Sequence, residues 1–205
     1  YVNFNTSNDN ISGLGVNGQQ STSFNVSIDA NTPVGTPVEF SFNVGNGSYS
    51  HSAIFNEVIG IINEDYETGD FTQYTWDNDA DFPWTIDNIN VYEGNNSSKS
   101  GSIPNNTVSN LKINVNVIAP GDISFWKFVS SEQDYDFLQF YIDGNKQGEW
   151  SGIDNSWSFV SFPVTVGTHE FEWEYDKDGW VEDGEDCAWI DYIVFPPIDL
   201  GQNSY

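Results

Sequence analysis

Arginine and methionine are absent from this chain of 205 residues, and cysteine occurs once. Five basic side chains, all lysine (99, 112, 127, 146 and 177), stand against 31 acidic ones, for a formal charge of −26. A surface so short of cations repels phosphate backbones and anionic lipid, which excludes nucleic-acid partners and membrane surfaces. The single Cys187 leaves no intrachain disulfide. Its place in CAWIDYIVF, with no adjacent base, marks it as a small buried hydrophobe rather than a thiol nucleophile. No apolar run approaches the roughly 20 residues that cross a bilayer, so membrane insertion is not expected. The chain does not begin with Met, and the expectation is a mature chain freed of its leader or an excised fragment. With its acidity and its Asn, Ser, Thr and Gly richness, it fits a secreted or cell-surface, extracellular location.

Histidine is scarce too: His51 lies in the Ser-rich GSYSHSA, and His169 on the approach to a strand. Neither is accompanied by a nucleophile elbow, so no Ser-His-Asp triad is expected. Acidic pairs are plentiful, but nothing in their spacing sets the separation a glycosidase needs. No catalytic site is expected, and the chain reads as a non-enzyme.

Helical periodicity is also missing, and in its place period-two alternation recurs between turn residues. In THEFEWEYDKDGW, Phe171, Trp173 and Tyr175 fall on one face and Glu170, Glu172 and Glu174 on the other. DFLQFYIDGNKQGEW predicts a hairpin turning at Asp143-Gly144, SWSFVSFPVTVGTHEF one turning at Val166-Gly167, and LKINVNVIAPGDISFWKFVSS two strands around Pro120-Gly121. CAWIDYIVFPP predicts a last strand closed by prolines that cannot donate to a ladder. The chain is thus expected to be all-β, with eight to ten strands from about Ile61 to Ile198 spaced as in a jelly-roll β-sandwich. Residues 1–60 hold no Trp and only three or four strands (Thr22–Ile28, Pro37–Val44 and Ser48–Ile59), roughly half of a sandwich. The domains are therefore a partial sandwich with an N-terminal arm over 1–60, a jelly roll over 61–198, and a tail over 199–205.

Within NEDYETGDFTQYTWDNDADFPWTID, acids crowd among aromatics. Ca²⁺ takes six to eight oxygen ligands from bendable loops, which makes Glu64, Asp65 and Glu67 candidate ligands. Asp77, Asp79 and Asp81 form a second candidate set with DxDxD spacing. Counted from Asp77, the sixth and twelfth positions of an EF-hand loop are Phe82 and Asn88, so an EF-hand is excluded. Solvated turn carboxylates are the alternative for both sets. Among the aromatics, Trp126, Phe128, Phe140, Trp173 and Trp189 lie at strand spacing and read as core. Trp76, Trp84, Trp150, Trp157 and Trp180 lie at strand ends or in loops, where an indole beside Asp and Asn can stack on sugar.

EDYETGDFTQYTW followed by FPWTID, KSGSI, ISFWKFVSSEQDYDFLQFYIDG, GEWSG, WSFVSFPVTVGTHEFEWEYDKD and DCAWIDYIVF resembles the cleaved-adhesin modules of secreted bacterial proteins. These are the MAM-like jelly rolls found beside gingipain-type proteases, and the likeness covers residues 63–195. TPVGTPVEFSFNV is similar to the end of the immunoglobulin-like domain that often precedes them, which makes residues 1–60 a partial immunoglobulin-like sandwich. The resemblance implies a non-catalytic, adhesive, Ca²⁺-stabilised module. Its ion would be held by the acids of the E-D-x-E segment, Glu64, Asp65 and Glu67, with Asp191 near the end of the last strand. Asp191 adds its own argument, since it interrupts an apolar strand where an unpaired carboxylate is costly. The recurrence of FPWTI and GEWSG implies that Trp84 and Trp150 are structural plugs, leaving Trp157 and Trp180 as ligand-binding candidates.

Two functions follow as expectations. The first is an extracellular structural or adhesive protein, calcium-stabilised, that assembles head-to-tail into a surface filament of sister subunits. An open half-sandwich invites a strand from a neighbour, and Val2, Phe4, Ile11, Leu14 and Val16 of the arm, or Ile198 and Leu200 of the tail, would be the donated residues. The alternative is a carbohydrate-binding module of a larger secreted enzyme, whose partner is a glycan surface.

Overall fold

The computed structural model describes residues 2–4, 18–29, 32, 36–45, 48–181 and 183–199. The chain is all-β and divides into two units, residues 1–60 and 61–205. In the first, β1 (Val2–Phe4) pairs antiparallel with β2 (Val26–Ile28), and β3 (Thr36–Gly45) pairs with β4 (Ser50–Ile59) over ten positions. These are the strand pairs of a partial sandwich. Phe24 meets Phe42 edge-on, while Ile28, Ile54 and Phe55 stay exposed. The N-terminal residues Val2 and Phe4 lie opposite Ile28 and Val26 of their own chain. Ile11, Leu14 and Val16 lie outside the described residues.

The second unit is a jelly-roll β-sandwich of two antiparallel sheets. Its strands are β5 (Asn63–Glu64), β6 (Trp76–Asn78), β7 (Thr85–Asp87), β8 (Ser97–Lys99), β9 (Val108–Val117), β10 (Gly121–Ser130), β11 (Phe137–Ile142), β12 (Asn145–Trp150), β13 (Ser158–Val164), β14 (Gly167–Asp176) and β15 (Cys187–Val194). The front sheet runs β13-β10-β15-β8-β7, with β5 also beside β15, and the back sheet runs β12-β11-β14-β9-β6. Asp143 and Gly144 both take positive φ (52° and 71°), as the tight two-residue turn between β11 and β12 requires.

Alternation on β14 puts Phe171, Trp173 and Tyr175 inside and the Glu170–Asp176 acid row outside, over a register with β9 that runs from Gly167↔Val117 to Asp176↔Val108. Trp173 packs edge-on against Phe125 of the front sheet, and Phe140 packs against both. Trp84 is fully buried and donates through Nε1 to Ser109 O at 3.3 Å, a plug as its motif implied. Ile198 is buried too, bridged to Val117 of β9, so this candidate donor residue is engaged within its own chain.

Trp126 and Phe128 depart from the expectation of core. On β10 the inward set is Ile123, Phe125 and Val129, and the half-buried Trp126 and Phe128 face outward beneath a long connection, residues 88–96. Period two separates the faces of a strand but does not tell which face meets the second sheet.

Candidate functional site: an aromatic surface under a clipped loop

The first and last strands of the second unit are neighbours, with Glu64 opposite Ile193 and Asn63 opposite Val194. Tyr192, at φ 46°, interrupts the alternation of β15. Asp191 therefore aligns with outward Trp126, while Glu64 joins the interior side. Glu64 is fully buried; its Oε1 accepts the Tyr66 N–H at 2.9 Å and its Oε2 the Trp76 indole N–H at 3.2 Å. Burial raises its carboxyl above the usual range, and those two bonds partly restrain the rise.

Asp191 is fully buried on the opposite face, where Oδ2 accepts the N–H groups of Tyr92 (2.9 Å) and Glu93 (3.1 Å). Oδ1 accepts the N–H of Tyr192 at 2.7 Å. Burial pushes this carboxyl up to about 6 against the pull of the three donors. Glu67 is exposed and grips the same connection further along. Its Oε1 accepts Asn95 N–H (2.7 Å) and Asn96 N–H (2.9 Å), and its Oε2 accepts the Asn95 amide (2.9 Å). Those bonds, led by the Asn95 N–H, hold it below the ordinary range. Asp87 completes the set, accepting Ile89 N–H at 3.1 Å and the Trp189 indole at 2.6 Å. Asp65 bonds Asn63 and the Glu67 N–H.

The acids expected to gather around one ion are thus not brought together as a cage. Glu64 and Asp191 serve opposite faces of the sheet, and Asp65 and Glu67 are occupied with N–H donors. Among the described residues, no three of these four place a ligand oxygen within 4.8 Å of one another. Two hydroxyls nearby, Tyr66 Oη and Ser98 Oγ, are buried without a hydrogen-bond partner of normal geometry. Burial drives the Tyr66 phenol far up, and the charges of Glu64 and Asp191 add to it. The oxygen chemistry suits Ca²⁺, but the arrangement does not.

The DxDxD set is also dispersed. Asp77 is exposed on β6 opposite Lys112, Asp79 Oδ1 caps a turn by accepting the N–H groups of Asp81 and Phe82 at 2.8 Å, and Asp81 is exposed.

What Asp87, Asp191 and Glu67 accomplish together is to clip residues 88–96 over the front sheet by its backbone N–H groups. The clipped segment presents Tyr92, whose ring stacks on Trp126 at 3.8 Å between centroids and 14° between planes. Trp126 in turn packs on Phe159 of β13 at 5.6 Å, and Phe128 packs on Trp157 at 5.9 Å. Phe159 is 55 % exposed and Tyr92 39 %. Beyond the rings, the same face continues into polar groups, with Ser161 donating to Asp122 Oδ2 at 3.1 Å. Trp157, expected as an open platform, is half-buried, and its indole N–H donates to Asn90 Oδ1 at 3.2 Å. Trp180 is 87 % exposed in the β14–β15 connection. Tyr92 and Phe159 were not singled out in the sequence. Their signal, an aromatic in NVYEG and one at an outward position of SFVSF, gains meaning only from the fold.

No family model matches the chain, and no curated protein does. Solved structures resemble it loosely. The CBM22-1 xylan-binding domain of Paenibacillus barcinonensis Xyn10C has a TM-score of 0.47 at 14 % identity, covering 66 % of this chain and 92 % of that one. A family 35 carbohydrate binding module from Clostridium thermocellum has 0.41 at 13 %, covering 67 % and 98 %. The secreted serine protease VesC of Vibrio cholerae has 0.43 at 15 %, covering 81 % of this chain and 35 % of the protease.

Proposed function

We propose that the second unit is a non-catalytic, extracellular glycan-binding module that holds a neutral polysaccharide against Tyr92, Trp126 and Phe159. The observation that carries this reading is the ring surface at the edge of the 88–96 connection, where exposed Tyr92 and Phe159 flank half-buried Trp126 and hydroxyl and carboxylate groups border them. Sugar rings offer an apolar C–H face for stacking and a hydroxyl edge for hydrogen bonding, and this face offers both complements. The chain's charge of −26 disfavours anionic glycans, which narrows the class to neutral ones. Affinity electrophoresis through gels containing soluble neutral polysaccharides, with a glycan array beside it, tests the proposal. Phe159→Ala and Trp126→Ala each remove stacking worth about 0.5–1.5 kcal/mol and should weaken binding roughly two- to twelvefold. Retained binding in Trp180→Ala keeps the contact on the front sheet; loss in that variant alone moves it to the β14–β15 loop. No retardation by any neutral glycan overturns the reading.

The reading includes a structural Ca²⁺ ion, supported by a buried Asp136 oxygen that has no hydrogen-bond donor, in a chain with few cations. Chelation should then lower the melting temperature, because an ion that binds only the native state stabilises it by mass action. An unchanged melting temperature removes the ion.

A second reading, adhesive assembly into a homopolymeric filament by strand complementation, is supported by the first unit. There β3 and β4 pair with each other and leave Val44, Ile54 and Phe55 exposed. Kinship with cleaved-adhesin modules belongs to this reading. Size exclusion and electron microscopy of the full chain test it, and a monodisperse monomer at high concentration ends it.

A further inference from the structure

The register that joins β11 to β14 brings distant loops into contact. Phe137 opens β11 and lies opposite Asp176, which closes β14, so the chain entering one strand meets the chain leaving the other. Three carboxylates converge there: Glu132 and Asp136 from the β10–β11 connection and Asp178 from the β14–β15 connection. One oxygen of each lies within 4.8 Å of the other two, and no other trio of Asp, Glu, His or Cys among the described residues does this.

Convergence of acids alone is not a site, but the state of their oxygens adds a second observation. Asp136 is fully buried. Its Oδ1 accepts the Asp178 N–H at 2.8 Å, whereas Oδ2 is enclosed with no partner, and Glu132 Oε2 is enclosed without one as well. A carboxylate oxygen removed from water and given no donor is a costly arrangement. The lysine whose charge reaches Asp136, Lys177, is itself bonded to Asp186 Oδ2, and the Asp186 carboxylate lies close enough to Asp136 to add a fourth acid in direct contact with the trio.

We propose that Glu132, Asp136 and Asp178 bind a Ca²⁺ ion that clamps the β10–β11 loop to the β14–β15 loop, the loop that carries Trp180. The ligands are hard oxygens on loops, and Ca²⁺ at 2.3–2.6 Å spans opposed oxygens up to about 5.2 Å apart, against about 4.2 Å for Mg²⁺. Asp178 is the pivot. Its Oδ1 accepts the backbone N–H of Trp180 at 2.9 Å, and its carbonyl accepts the backbone N–H of Asn106 at 2.8 Å. Tyr135 is exposed on the opposite loop, so the ion lies between two segments that each carry an outward ring. The inference deepens the calcium part of the proposed function, on which it rests for the identity of the ion, and is independent of the front-sheet ring surface.

The test uses the full chain at 0.15 M NaCl, which screens diffuse attraction of cations to so acidic a protein. Chelator-treated protein is titrated with Ca²⁺ by calorimetry, and with Tb³⁺ as a luminescent probe excited through indole. Wild type should bind Ca²⁺ and sensitise Tb³⁺. Glu132→Gln, Asp136→Asn and Asp178→Asn should each weaken the site about tenfold or more. Trp180→Phe should keep Ca²⁺ affinity and lose most of the Tb³⁺ emission. Circular dichroism checks each variant, and should buried Asp136→Asn fail to fold, the half-exposed Glu132 and Asp178 decide. Wild-type affinity in Glu132→Gln and Asp178→Asn overturns the proposal. Loss in Glu64→Gln with those two variants intact leaves calcium in the protein but moves it away from this site. A preference for Mg²⁺ overturns the choice of ion. If no Ca²⁺ binds to wild type, the broader calcium reading falls as well.

Discussion

Asp191 is the clearest place to test whether carboxylates organise the outer face of the front sheet. Its carboxylate is the acceptor for three backbone donors, Tyr92, Glu93 and Tyr192, and is fully buried while doing so. Two effects oppose each other. A rise of its pKa from 3.8 to about 6 corresponds to a burden of up to roughly 3 kcal/mol on the ionised form at neutral pH, less after solvent screening. Asp191→Asn removes that charge and keeps one acceptor, at the cost of turning an amide N–H toward a donor. These changes nearly cancel, and stability in chelator should stay within about 1 kcal/mol of wild type. Asp191→Ala also removes the charge but leaves three enclosed N–H groups unpaired, at about 1–3 kcal/mol each. Asparagine keeps the oxygen that accepts two of them, so alanine should fall below asparagine by about 2–6 kcal/mol, a gap of roughly 4–24 °C in Tm for a domain of this size. Urea unfolding followed by Trp fluorescence measures the gap. Hydrogen exchange adds an independent readout: the amides of Tyr92 and Glu93 should lose protection in alanine and keep it in asparagine. Equal stabilities for the two variants, or protection that survives in alanine, would refute the assignment of Asp191 as the clip.

The Cys187 thiol is buried in β15 and pushed by that burial up to about 12, so it should resist a disulfide exchange reagent in the native state and react fully on unfolding. Prompt reaction of the folded protein would contradict this placement. On the outer back sheet, burial is the main cause of a raised Glu174 carboxyl, with the Glu172 and Asp176 charges adding to it and Tyr141 and Lys112 opposing it. A raised carboxyl binds its proton more tightly in the folded state, so its contribution is fully present below the unfolded pKa and is lost as pH rises through the folded one. Glu174→Gln should therefore flatten the decline in chelated-protein stability as pH rises above the ordinary glutamate value of 4.5; an unchanged slope would count against the shift.

Much of the jelly roll can be read from the chain because its long strands keep a strict alternation. THEFEWEYD sorts its own faces, and Asp143-Gly144 supplies the positive φ values its turn needs. The short strands β5 to β8 escape such reading, since two or three residues carry no periodicity, and β7 and β8 are written in turn-like residues. The acidic words near Glu64 stand out in the sequence, but their partners do not. Glu67 bonds residues 28 and 29 positions away and Asp191 one 99 positions away, connections made by tertiary packing alone. The same holds for Asp136 and Asp178, which are 42 residues apart and become neighbours only through the β11–β14 register. Sequence pattern found acids in abundance; which of them lack a hydrogen-bond donor is a property of the fold.

The pairing of β5 with β15 rests on two residue pairs, and Asn63 lies beside Val194 at its open end. Tension on the chain entering the second unit would load these two rungs directly, whereas on the other side the Ile198–Val117 bridge and the Asp199 N–H to Asn116 O bond (2.8 Å) would take the load first. Tyr66 and Glu67 follow directly on β5, so the first rungs to part would slacken the grip on Asn95 and Asn96.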